Sequence, residues 1–231
     1  MAHWRAGRQS LVTVHVYVEG GGERDDLLTD CRRSFHKFFE SAGLKGKLPA
    51  VKPHGGRSQT IEAFKHRLAD QNRDFVPVLL VDSEELVTGP VLGSTAKDHL
   101  SNRAADNAAF IRDVPNEQVH LMMPVMETWF LADRATTVRY FGAGFQESAL
   151  PPAARAAETV SKKDCMDALK HATRALAIKR PYDKGEHSFK LLGDLNGLIV
   201  RDRCRWASRL CTLMEYIITR EPFKEDATTQ Y

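Results

Sequence analysis

Two apolar stretches of the chain each end in acids. The first, VTVHVYV, reaches Glu19, passes Gly20, Gly21 and Gly22, and meets Glu23; the second, FVPVLLV, reaches Asp82, Ser83, Glu84 and Glu85. Carboxylates gathered in one place repel each other and are costly unless a cation or a proton compensates them. Donors that are all oxygen suit a hard ion such as Mg2+ or Mn2+. In an extended chain, residues two apart point the same way, so Asp82 and Glu84 are expected to face one ion together. The three glycines permit a sharp turn. They read as spacing that brings Glu23 back beside Glu19 rather than as a phosphate-cradling loop.

Other charged residues fall where they could assist. Glu127 lies inside the apolar segment VMETWFLAD. A carboxylate there is costly to bury without a partner. It is either an acid of the site (a further metal ligand or a general base) or an outward position of an amphipathic helix, and its apolar neighbours favour the first. Lys184 and His187 lie in YDKGEHSF, just before a helix. A cation beside a metal site can neutralise charge that develops on a phosphoryl group, and a helix N-terminus offers N–H donors to phosphate. A polar loop with a capped helix start is the plainer account. Arg57, in HGGRSQT, is open to the same two readings. Arg201, Arg203, Arg205 and Arg209 could meet a nucleic-acid backbone, but a solvated helix face is the simpler reading.

The elements that must position these groups follow from periodicity. Val12, Val14, Val16 and Val18 alternate with Thr13, His15 and Tyr17, which predicts a strand. Leu27, Cys31, Phe35, Phe38 and Ala42 form a helical stripe over residues 24–42. A short strand is expected at Ala50–Pro53, then a helix over residues 58–69 with Ser58 as N-cap. The unbroken run over residues 75–81 suggests a strand covered on both faces, as in a parallel sheet. Residues 89–106 read as a long loop with a short helix, and residues 118–122 as a fourth strand. Helices are expected over residues 125–133, on to Phe141, over 163–177, from about His187, and over 202–219, with a frayed tail.

Strands alternating with helices imply an α/β fold, a mostly parallel sheet of about four strands flanked by helices. In such sheets ligands bind at the carboxyl ends of the strands. The expected organisation is an α/β core over residues 1–145 and a helical C-terminal region over 146–231. That region either packs on the core or offers a surface for a homo-oligomer.

At 231 residues, 42% hydrophobic and 27% charged, the chain can bury a full core without staples. It has no apolar run of transmembrane length, and MAHWRAGRQS lacks the apolar stretch of a secretory signal, so a soluble cytoplasmic protein is expected, with no membrane partner. Cys31, Cys165, Cys204 and Cys211 form no CxxC pair and have no zinc-finger His, so reduced core cysteines are expected. The net charge of +3 excludes little.

VYVEGGGER, GGRSQTIEAF, VLLVDSEE, VMETWFLAD and KGEHSFKLL, in this order from Val16 to Leu192, resemble a TOPRIM-like family of bacterial proteins labelled as a domain of unknown function and related to OLD-type nucleases. The resemblance implies a TOPRIM/Rossmann-like sheet and metal roles for Glu19 and Asp82. Glu84 stands where the second Asp of an Asp-x-Asp pair is expected, a departure that would hold an ion further from the strand or through water. Glu23 falls where OLD-type nucleases often carry a second acid. A magnesium- or manganese-dependent nuclease acting on DNA or RNA is implied, with Lys184 and Glu127 assisting, in bacterial phage defence beside a separate ATPase. The chain has no GxxxxGK[ST] loop, so ATP chemistry would belong to that partner. The alternative is a non-catalytic subunit that binds an ion or nucleic acid. The modest net charge leaves room for it, since a protein that relies on phosphate contacts is usually more basic.

Overall fold

The structure is a computed structural model that describes residues 13–22, 24–44, 46, 48–70, 75–176 and 179–219. Four strands, β1 (Thr13–Val18), β2 (Ala50–Pro53), β3 (Phe75–Asp82) and β4 (Val119–Met122), form one parallel sheet in the order β2-β1-β3-β4. The chain is thus α/β, as the alternating pattern implies. The order places β1 and β3 side by side at the centre, with Val18 opposite Leu80. That register brings the two acidic strand ends together.

Both faces of the sheet are apolar. On β1 and β3, Val14, Val16, Val18, Val76, Val78 and Leu80 face one core, while Tyr17, Leu79 and Val81 face the other. Full burial on both faces explains why residues 75–81 show no polar alternation. Helix α1 (Asp25–Ser41) buries Cys31, Phe35, Phe38 and Phe39 in the larger core. Phe38 stacks on Trp129 with ring centroids 4.6 Å apart. Helices α2 (Arg57–Leu68) and α3 (Gly93–Asn102) cover the other core with Ile61, Phe64, Ala96 and Leu100. All four cysteines are buried and free.

Beyond β4 come α4 (Thr128–Ala132), α5 (Arg134–Phe141), α6 (Lys162–Thr173), α7 (Lys184–Leu192), α8 (Gly197–Arg203) and α9 (Arg205–Thr219). Their apolar residues join the same cores: Phe189, Leu191, Leu192 and Val200 with the α1 face, and Trp206 with the other. No helix among the described residues is long and apolar enough to cross a membrane.

Several boundaries differ from expectation for local reasons. Gly56, not Ser58, is the N-cap of α2, because the preceding Gly55 is bridged to Gly20 and fixes where the helix can begin. The helix expected over residues 202–219 is two: Cys204 is extended, and the half-buried Glu158 carboxylate accepts the N–H groups of Arg205 (2.8 Å) and Trp206 (3.0 Å), starting α9 afresh. The segment after Gly89 is more regular than its composition suggests, with α3 followed by short 3-10 turns. α7 begins three residues earlier than His187, because the Asp183 side chain caps the Glu186 N–H at 3.1 Å. Val12, residue 177 and the tail from residue 220 lie outside the described residues.

The last residue of METWFLAD has a structural task. Asp133 caps α5 by accepting the Thr136 N–H at 3.2 Å, and its other oxygen accepts the Asn196 N–H at 2.8 Å, tying α5 to the start of α8. Asp133→Ala strands both donors and should lower stability by about 1–3 kcal/mol in denaturant unfolding. Asp133→Asn keeps one acceptor and should lose less. An unchanged stability in Asp133→Ala would show that neither hydrogen bond matters, and equal losses that the acceptor kept by Asn contributes nothing.

Candidate functional site

At the carboxyl edge of the sheet the backbone is held before any side chain acts. Just past β1, the Glu19 N–H donates to the Leu80 carbonyl at 3.3 Å, and Gly20 and Gly55 exchange hydrogen bonds of 2.8 and 3.1 Å. Gly55 has φ +73°, and a Cβ there would lie 2.4 Å from the Gly22 carbonyl oxygen, so only glycine fits. Just past β3, the Ser83 N–H donates to Met122 at 2.9 Å and the Glu84 N–H to Pro124 at 2.8 Å. Glu84 is in the left-handed region, φ +70°. A residue with a Cβ stays there only when its surroundings hold it.

Glu19, Asp82 and Glu84 each offer a carboxylate oxygen, and the three atoms lie within 4.8 Å of one another. Asp82 and Glu84 do not converge by strand alternation, because the strand stops at Asp82 and the left-handed turn redirects Glu84. Beside them opens a cavity of about 230 Å³. Glu19, Asp82 and Lys184 line its polar side, Leu27, Met122, Met126 and Phe189 its apolar side, and Gly20, Gly21, Gly22 and Gly55 its backbone wall.

Basic side chains meet these acids. Arg57 Nη1 is 3.5 Å from Glu19 Oε2 and donates to the Asp82 carbonyl. Its Nε and Nη2 bind both oxygens of buried Asp106 at 2.6 and 2.8 Å. Lys184 Nζ lies 3.3 Å from Asp82 Oδ2 and 3.7 Å from Glu127 Oε2. Lys162 Nζ contacts Glu84 Oε2. Asp82 Oδ1 accepts the Met126 N–H at 2.9 Å.

Glu127 is fully buried, behind the cavity rather than in its lining. Its Oε1 accepts from the hydroxyls of Tyr182 (2.9 Å) and Ser188 (3.1 Å). Its Oε2 has no hydrogen-bond partner and looks toward Lys184.

The electrostatics follow from this geometry. Burial raises the Glu19 pKa, with Arg57 and Lys184 pulling it back. Burial also pushes Asp82 up to about 7; the Lys184 ammonium opposes that rise, and the charges of Glu127 and Glu19 add to it. For Lys184, burial works against the ammonium, but Asp82, Glu127 and Glu19 outweigh it and raise its pKa.

The structure therefore brings Glu19, Asp82, Glu84 and Lys184 together, with Glu127 one step behind. Glu23 lies outside the described residues. His187 turns away from the cavity: its Nδ1 sits 3.1 Å from the Asp183 N–H, and its ring packs on Phe141 and Tyr182. The C-terminal arginines do not share one solvated face: Arg203 is exposed and Arg201 and Arg205 are half-buried, but Arg209 is not on the surface. Arg209 is buried and donates to the Val119 and Asn116 carbonyls at 2.7 and 2.6 Å. Arg203 donates to the Ala132 carbonyl at 3.0 Å, and Arg201 pairs with Glu215.

Sequence reasoning missed Lys162, Asp106, Tyr182 and Ser188. Tyr182 and Ser188 flank Lys184 within PYDKGEHS, and Lys162 follows a Ser at a helix start; these were the available signals. Asp106 had none.

The fold and the site define an α/β protein that presents a cation-compensated carboxylate cluster at the carboxyl ends of two central parallel strands. The chain belongs to the family described as Domain of unknown function (DUF4276), which matches residues 18–215 and so spans the whole site. No curated protein and no solved structure matches the chain.

In metal-free protein the raised Asp82 pKa has a defined sign. The group ionises near pH 4 in the unfolded chain and about pH 7 when folded, so its stabilising contribution is complete below about pH 4 and is lost as pH rises through 7. Asp82→Asn removes that titration. In EDTA, the variant should lose less stability than the parent between about pH 4 and 8, measured by urea unfolding. Parallel pH profiles would contradict the burial of an ionisable Asp82.

Proposed function

We propose that this chain is a metal-dependent nuclease of the TOPRIM-like kind that hydrolyses phosphodiester bonds in DNA or RNA. One observation carries the reading: Glu19, Asp82 and Glu84 each offer an oxygen within 4.8 Å of the other two, beside a cavity that also receives the Lys184 ammonium. The donors fit a hard divalent ion by type and spacing, and Glu19 Oε2 is buried with no hydrogen bond, its base Arg57 standing off at 3.5 Å. Magnesium or manganese held there would supply an activated water and charge stabilisation at the scissile phosphate.

The remaining steps belong to the chain. Arg57, locked by Asp106, fixes the Glu19 carboxylate from behind. Glu127, oriented by Tyr182 and Ser188, presents Oε2 to Lys184 and keeps its ammonium charged and in place. Lys184 can then donate to a phosphoryl oxygen as charge builds on it. Leu27, Met126 and Phe189 exclude water from the apolar side of the cavity. The same resemblance extends the proposal to bacterial phage defence beside a separate ATPase.

A second reading has its own support. Each acid of the cluster already meets a basic side chain of the chain itself, which suits a non-catalytic subunit that binds nucleic acid or an ion. Incubation of purified protein with single-stranded DNA, duplex DNA and RNA, in Mg2+, Mn2+ or EDTA, separates the two. The nuclease reading expects metal-dependent cleavage that EDTA stops and that falls by at least ~100-fold in Glu19→Ala and Asp82→Ala, as when charge stabilisation is removed. Cleavage that persists in EDTA, or in those variants while folded, would sink it.

A further inference from the structure

Each acid of the cluster meets the first residue of a different helix. Arg57 opens α2 and faces Glu19, Lys184 opens α7 and faces Asp82, and Lys162 opens α6 and faces Glu84. The three basic residues are held very differently. Arg57 is 13% exposed and clamped on Asp106 by two nitrogens. Lys184, although 52% exposed, has a second acid: if Asp82 turned away, Glu127, fully buried and with no hydrogen bond to Oε2, would still hold it from 3.7 Å. Lys162 is 42% exposed, and among the described residues its ammonium meets Glu84 alone. The three therefore form a series from fixed, through doubly held, to releasable.

We infer that Lys162 is a phosphate-binding residue that Glu84 holds in reserve and releases when a divalent cation takes the Glu84 carboxylate. The inference rests on the nuclease reading and adds to it a specific contact with the nucleic-acid backbone. An ammonium and a divalent ion compete for the same lone pairs on Glu84, and the divalent charge wins at close range. The freed ammonium stays half-exposed at the start of α6, where Ser161 caps the Asp164 N–H at 3.1 Å and the helix dipole favours an anion. A backbone phosphate satisfies both. Metal binding and nucleic-acid binding are then coupled: each removes a competitor of the other.

The test uses the full chain and two measurements. Calorimetric titration with Mg2+, without nucleic acid, should find Lys162→Ala binding the ion at least as tightly as the parent, because the competing ammonium is gone. Fluorescence anisotropy with a labelled single-stranded oligonucleotide, in Ca2+ or EDTA and with the oligonucleotide checked to be intact, should find that the parent gains affinity with the ion. Lys162→Ala should lose most of that gain and flatten the salt dependence by a slope of about one, as loss of one phosphate contact predicts; Lys162→Arg should restore it. Weaker Mg2+ binding by Lys162→Ala, or an unchanged gain in oligonucleotide affinity, overturns the inference while leaving the nuclease reading intact. A parent protein that binds no oligonucleotide with or without the ion overturns both.

Discussion

The structure turns on a buried carboxylate. Asp82 is 2% exposed at the end of the central strand, and a charge so placed must be compensated or neutralised. Both happen. Lys184 approaches one oxygen, the Met126 N–H binds the other, and burial lifts the pKa to about 7. Around this group the chain assembles an alternation of acids and bases, Arg57 with Glu19 and Lys162 with Glu84, then a second layer in which Asp106 and Glu127 hold the bases. Lys184 is shared by Asp82 and Glu127, so the acids and bases are linked into one network rather than isolated pairs.

The fold makes this arrangement possible through one topological fact. The parallel order β2-β1-β3-β4 sets β1 beside β3 although a helix, a strand and another helix separate them in sequence. Every parallel strand delivers its carboxyl end to the same edge. A helix that leaves from that edge has its N-terminus there, and the basic residues that open α2, α6 and α7 all meet the acids. The two apolar cores on either side of the sheet keep the strand ends in register.

The strands were legible in the sequence because their signal is strong and local: Val14, Val16 and Val18 alternate, and Phe75 to Val81 is an unbroken apolar run. The acidic strand ends followed at once, and with them Glu19, Asp82 and Glu84. Glu127 could be suspected because a carboxylate among Met126, Trp129 and Phe130 is conspicuous. Its orientation by Tyr182 and Ser188 was not legible, since those residues lie 55 and 61 positions away in the chain. Arg209 shows the opposite failure. Its helical spacing resembles a solvated face, yet it is buried against the carbonyls of Val119 and Asn116, a partnership visible only once α9 lies against β4. The break at Cys204 was hidden for the same reason, because its cause, Glu158, sits 47 residues before Arg205.

Glu84 has a consequence for which residues position 84 can accept. Its left-handed backbone suits Asn, Asp or Gly better than Glu, because short polar side chains relieve that geometry by local hydrogen bonding. An Asp would thus be the easier fit for the main chain. It would also be shorter by one methylene, about 1.5 Å of reach. Glu at this position gives up backbone comfort for length, and the length is what carries its carboxylate back from the turn to Asp82 and out to Lys162. Position 84 is therefore tuned by distance rather than by charge: substitutes that preserve the charge but not the span would keep the sign of the cluster and lose its shape.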